Sequence, residues 1–85
     1  MQDVLTDEQA MANIAANVTR LRGERSLNSL ARAANTYAIN ISRIETGENL
    51  PGAGLLSRIA EALGVTVDDL LSPPPGPEKK SKKTG

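Results

Sequence analysis

The chain has 85 residues, ten basic and ten acidic side chains, no cysteine and no histidine. That size leaves room for one small domain, and that composition excludes disulfides, thiolate or imidazole metal sites and the usual nucleophile–base pairs. No apolar run approaches the roughly 20 residues that cross a bilayer, and the acidic start MQDVLTDEQ lacks the order of a signal peptide, so a cytoplasmic, non-enzymatic protein without cofactor or metal is expected.

With one Tyr and no Phe or Trp, the core must be aliphatic. Thr6 and Gln9 have capping-box spacing and predict a first helix. Met11, Ile14, Val18 and Leu21 continue it at steps of three, four and three, a helical stripe. Ser26 is placed to cap a second helix whose inner face is Leu27, Leu30, Ala31 and Ala34. Asn35 follows, one of the few non-glycine types that tolerates a left-handed backbone. A third helix is predicted from about Tyr37 to Thr46, with Ile41 and Ile44 inward and Gly47 as its stop. After the loop TGENLPGAG, Leu56, Ile59, Ala60 and Leu63 stripe a fourth helix from Ala53 to Leu63, stopped by Gly64. Thr66 caps a final short helix, where Asp68 and Asp69 suit the positive N-terminal end. The closing stretch SPPPGPEKKSKKTG cannot build a core, because proline breaks helices and the lysines repel one another.

Two short helices joined by a tight turn, the second giving only two residues to the core, form a helix-turn-helix. Such a motif presents the free face of its second helix to the major groove of DNA. The segment LARAANTYAINISRIETG (30–47) resembles the phage-repressor (Cro/Xre-type) helix-turn-helix family. The likeness extends upstream to IAANVTRLR, and downstream to Pro51 and LLSRIAEALGVTVDDLL. It implies an all-α, five-helix, lambda-repressor-like DNA-binding domain over residues 13–72. Residues 1–12 become an N-terminal extension, within or before helix 1, and residues 73–85 a flexible, disordered Pro/Lys-rich tail.

At about 100° per residue, fixing Ile41 and Ile44 inward places Ile39, Ser42 and Arg43 on the opposite face, with Ala38 and Asn40 at its edges. Ala38, Ile39, Ser42 and Arg43 are the expected base contacts. Arg43 can donate two hydrogen bonds to guanine or lie along a phosphate, and its position is one the resembled family often uses for DNA contact. Ala38 matches a position where related repressors often carry a polar base reader, yet offers only a methyl. Asn40 suits adenine or the backbone equally. Ile39 is open to three readings: a thymine methyl contact, a protein contact, or a singly exposed isoleucine.

Tyr37 stands four and seven residues before Ile41 and Ile44, which predicts core-edge packing, alone or with the hydroxyl reaching DNA. The family prefers Ser or Thr as the cap at this point, leaving Thr36 as an alternative cap. Ser26, Asn28, Arg32 and Asn49 are the expected phosphate contacts. Two departures stand beside these expectations. Leu27 occupies a position where the family often has Gln, and the connection GERS is about two residues shorter than usual. Glu45 and Gly47 match the family's Glu and Gly and read as structural.

Charge is unevenly spread: −3 over residues 1–12, +3 over 13–47, −3 over 48–72 and +3 over 73–85. The excess positive charge lies in the predicted reading head and in the tail, where Lys79 to Lys83 could attract DNA or merely solubilise. The resemblance implies a transcriptional regulator, a repressor occupying a double-stranded operator, with no small-molecule ligand evident. A protein-binding adaptor or toxin-neutralising module using the same face is the alternative. One short helix reads too few base pairs to select a unique site, so a homodimer, at least on DNA, is expected. Val67 and Leu71 of the last helix are its expected interface, against the alternative that they close the domain's own core.

Overall fold

Thr6 begins the first helix through the reciprocal bonding its spacing to Gln9 requires: its hydroxyl accepts from the Gln9 N–H at 3.0 Å, and its own N–H donates to Gln9 Oε1 at 3.0 Å. The computed structural model describes residues 5–75. Among these it has five helices and no strand: α1 (Asp7–Arg22), α2 (Leu27–Ala33), α3 (Ala38–Glu45), α4 (Ala53–Leu63) and α5 (Val67–Leu71). This is the all-α, five-helix architecture expected. The expected tail from residue 76 onward, with its lysines, lies outside the described residues.

Three helices end in the same way. Asn35 (φ 58°), Gly47 (φ 80°) and Gly64 (φ 76°) each take a left-handed conformation. Each donates to the carbonyl three residues back, while the next N–H reaches five back: Thr36 to Ala31 at 2.8 Å, Glu48 to Arg43 at 2.9 Å, Val65 to Ala60 at 2.9 Å. This double bond satisfies carbonyls the helix cannot reach and turns the chain sharply. At Asn35 the stop follows a helix of only seven residues, and the turn to α3 results.

The core is aliphatic. Ile14 and Val18 of α1, Leu30, Ala31 and Ala34 on α2 and its cap, Ile41 and Ile44 of α3, Leu56, Ile59 and Ala60 of α4 and Leu70 of α5 form one buried cluster. Val67 and Leu71 are half-buried and pack against that cluster, so each divides its surface between core and solvent.

One buried polar side chain stands among them. Asn17 is fully enclosed, and its Nδ2 donates to the carbonyls of Asp69 (3.2 Å), Leu70 (2.9 Å) and Ser72 (2.8 Å). Asn13, one turn earlier, donates to the Leu71 carbonyl at 2.7 Å. The end of the shortest helix is thereby capped by two amides of α1.

Four arginines serve the scaffold. Arg22 pairs with Glu45 through two bonds, Nε to Oε2 at 2.6 Å and Nη2 to Oε1 at 2.9 Å, tying the end of α1 to α3. This bidentate pairing raises the Arg22 pKa above its ordinary value, chiefly through the hydrogen bond. Arg25 reaches the Ala62 carbonyl of α4 at 3.1 Å, and Arg58 the Ala34 carbonyl of α2 at 2.8 Å. Arg20 holds the Asn17 carbonyl oxygen at 2.9 Å.

Candidate nucleic-acid interface

The described residues enclose no pocket, so the candidate site is the convex outer face of α3. Its inner face is fixed by Ile41 and Ile44, both essentially inaccessible, and by the Glu45 pairing with Arg22. What remains outward is short: Ile39, 54% exposed, Arg43, exposed, and Ser42, half-buried. Neither Arg43 nor Ser42 has a side-chain partner among the described residues.

Ala38 and Asn40, at the edges of that face, are each half-buried. Ala38 packs against the core, which leaves part of its methyl at the surface. The Nδ2 of Asn40 donates to Thr36 Oγ1 at 2.9 Å. Thr36 therefore does not cap α3. The cap position is Tyr37, in extended conformation (φ −109°, ψ 152°), and it makes no side-chain capping bond.

Tyr37 requires a correction. Its ring is 76% exposed and does not pack at the core edge. The wheel that placed it beside Ile41 and Ile44 assumes helical torsions, and Tyr37 precedes the first helical residue. The exposed ring and hydroxyl are consequently available to a partner.

The match of a family model decides the affiliation: the helix-turn-helix domain model fits residues 14–72, well over half of the chain. The chain belongs to the helix-turn-helix domain family. Its structure also resembles the crystal structure of a hypothetical transcription factor, NHTF, from Neisseria. The TM-score is 0.71 at 24% identity, over 98% of this chain and 94% of that one. At that identity the likeness is one of fold. No curated protein gives a significant match.

Within the helix-turn-helix domain the expected phosphate-contacting residues lie at the ends of the motif. Ser26 Oγ accepts from the Ser29 N–H at 3.0 Å, which caps α2 and leaves the hydroxyl proton free to donate. Asn28 and Arg32 of α2 and Asn49, just past α3, are exposed. Arg32 and Arg43 are the two arginines without a side-chain partner among the described residues. Sequence reading missed the Asn17 clasp and the scaffold roles of Arg20, Arg25 and Arg58. For Asn17 a clue existed, since it falls inside the stripe of Ile14, Val18 and Leu21, where a polar residue needs a buried partner. Nothing local points Arg25 at Ala62 or Arg58 at Ala34, because those contacts span 37 and 24 residues.

Among the described residues no helix is long and apolar enough to cross a membrane.

Proposed function

We propose that this chain is a sequence-specific, double-stranded-DNA-binding transcriptional regulator that places α3 in the major groove of an operator and represses by occupying it. The observation that carries the reading is the division of the arginines. Four brace the scaffold, while Arg43 on the outer face of α3 and Arg32 on α2 stand free among the described residues. Ala38, Ile39, Ser42 and Arg43 meet base edges in this reading. Tyr37 and Asn40 lie at base or backbone, and Ser26, Asn28, Arg32 and Asn49 hold phosphates. The protein acts in the cytoplasm, on the nucleoid. It pairs two-fold on DNA through the exposed portions of Val67 and Leu71, setting two recognition helices about 34 Å apart.

The second reading, a protein-binding adaptor or toxin-neutralising module, draws on the exposure of Tyr37 and Ile39. One experiment separates them. Duplex DNA is selected from a random pool with the full chain, and Arg43→Ala and Arg32→Ala are measured on the selected site. Arg43→Ala is expected to weaken binding by about 1–3 kcal/mol and to relax preference at one position. Arg32→Ala should weaken all sequences alike and reduce the salt slope by about one. A pool that never acquires a preferred sequence refutes the DNA reading. Footprints of two half-sites with centres about 10 base pairs apart are expected, and a single unsymmetrical footprint from a monomer refutes the pairing.

A further inference from the structure

The outer face of α3 is poor in the groups that usually read bases. An amide reads adenine by presenting both its nitrogen and its oxygen to the base edge. Asn40 is the one amide in α3, it is half-buried, and its nitrogen is engaged by Thr36. The one carboxylate of α3, Glu45, faces inward to Arg22 and offers nothing to cytosine. The groups left are the Ser42 hydroxyl, which bonds to any base without preference, and a guanidinium and a large apolar side chain, Arg43 and Ile39, four residues apart on the same face. Residues so spaced have Cβ atoms about 5–6 Å apart, and the rise between them is about 6 Å. The helix lies along the groove, oblique to the DNA axis, so only about half of that rise projects on the base-pair step of about 3.4 Å, and the two side chains fall on neighbouring base pairs. In the major groove the apolar group is the pyrimidine C5-methyl, carried by thymine and by 5-methylcytosine, and the preferred target of arginine is guanine. On the helical face Ile39 lies among Asn40, Ser42 and Arg43, while the exposed ring of Tyr37 stands at the cap, before the first helical residue. Such a lone apolar side chain matches a single methyl in a polar groove, and an extended apolar protein surface would leave its polar neighbours unsatisfied.

We propose that the α3 face recognises a C5-methylated pyrimidine next to a guanine, with Ile39 covering the methyl and Arg43 donating to the guanine. The proposal rests on the reading of α3 as the helix that enters the groove. It makes Ile39 a determinant of specificity and assigns Asn40 to holding the first turn of α3 against Thr36.

Uracil provides the test, since it keeps every hydrogen-bonding group of thymine and lacks the methyl. In the selected site each thymine is replaced in turn by deoxyuridine, and binding of the full chain is measured. Burial of one methyl-sized group is worth about 0.8 kcal/mol, which at 1.4 kcal/mol per tenfold is about a fourfold loss. That loss is expected at one thymine in each half-site, beside the guanine whose preference Arg43→Ala relaxes. Ile39→Ala, folded by its circular dichroism and melting, is expected to bind the thymine and uracil sites equally. In the unsubstituted protein, 5-methylcytosine at that position should bind about fourfold better than cytosine. Equal binding of thymine and uracil at every position overturns the proposal and leaves operator binding intact. So does a selected site without thymine beside the guanine, or an Ile39→Ala variant that still discriminates. A pool that yields no preferred sequence overturns both the proposal and the reading beneath it.

Discussion

Removal of the Asn17 amide is a severe single change that the fold predicts. The side chain is wholly enclosed, and its two N–H groups serve three carbonyls, Asp69, Leu70 and Ser72, so one proton is shared. Asn17→Ala removes two hydrogen bonds' worth of donors at about 1 kcal/mol each. It also leaves the buried Leu70 carbonyl without a partner, a cost of about 1–3 kcal/mol. Water reaches the Asp69 and Ser72 carbonyls, which are part-buried, and recovers some of the loss. The net expectation is about 2–4 kcal/mol. Total stability is about 0.05–0.15 kcal/mol per residue, or roughly 4–13 kcal/mol for a chain of this length. The substitution therefore removes a large share of it. Urea unfolding should show a lowered midpoint at an unchanged m-value. Melting should fall by roughly 8–32 °C, at about 4–8 °C per kcal/mol for a domain of this size. Arg20→Ala deletes the partner of the Asn17 side-chain oxygen but opens that side to water, and should cost about 1–2 kcal/mol, less than Asn17→Ala. A loss below about 1 kcal/mol for Asn17→Ala, or equal losses for the two variants, would refute the clasp as a main support of α5.

Asn35→Ala should cost about 1 kcal/mol, because alanine lacks the polar side chain that eases a φ of 58°, and thermal melts will show a drop of about 4–8 °C. Glu45→Ala should destabilise by about 1–3 kcal/mol, between the worth of exposed and of fully buried pairs, since the Arg22 and Glu45 side chains keep 20% and 10% of their exposure. A double-mutant cycle with Arg22→Met that shows no coupling would contradict this. The Asp69 carboxyl accepts from the Thr66 N–H at 3.0 Å, and this bond chiefly holds its pKa below the ordinary 3.8. A depressed folded-state value means that the carboxylate's contribution is complete above the ordinary range and is lost as pH falls through the folded value. Carboxyl NMR should place the Asp69 midpoint below 3.8, and a midpoint at or above it would show the capping box of α5 to be unformed.

Helix positions and ends were legible in the sequence because their causes are local. Thr6, Ser26 and Thr66 cap from within three residues, and Asn35, Gly47 and Gly64 stop helices by their own backbone freedom. The inward face of α3 was legible for the same reason, as two isoleucines three apart admit one orientation of an eight-residue helix. What the edges of that face touch was not. Ala38 packs inward because α3 lies close to the rest of the core, and Asn40 turns to Thr36 because the turn presents a hydroxyl there. Both facts depend on how the turn folds, which the wheel does not contain. Tyr37 differs for another reason: it stands one residue before helical torsions begin, where periodicity does not reach.

Net neutrality looks unfavourable for a DNA reader, whose usual electrostatic footprint is a basic surface. The fold changes what that total means. A scaffold this short depends on bonds to helix-end carbonyls, and arginine, with several donors on a long stem, reaches carbonyls that no backbone group can. Arg25 and Arg58 serve the ends of α4 and α2 in this way, and Arg22 is neutralised by Glu45. Their charge is therefore structural and says little about partners. In the proposed reading the arginines left for recognition are Arg32 and Arg43, exposed on the two helices of the motif. A reading head with so few free cations gains little non-specific affinity from counterion release. In the proposed reading, discrimination then comes from close contacts on the α3 face, and the exposed Ile39 beside Arg43 is where shape and apolar contact would supply it.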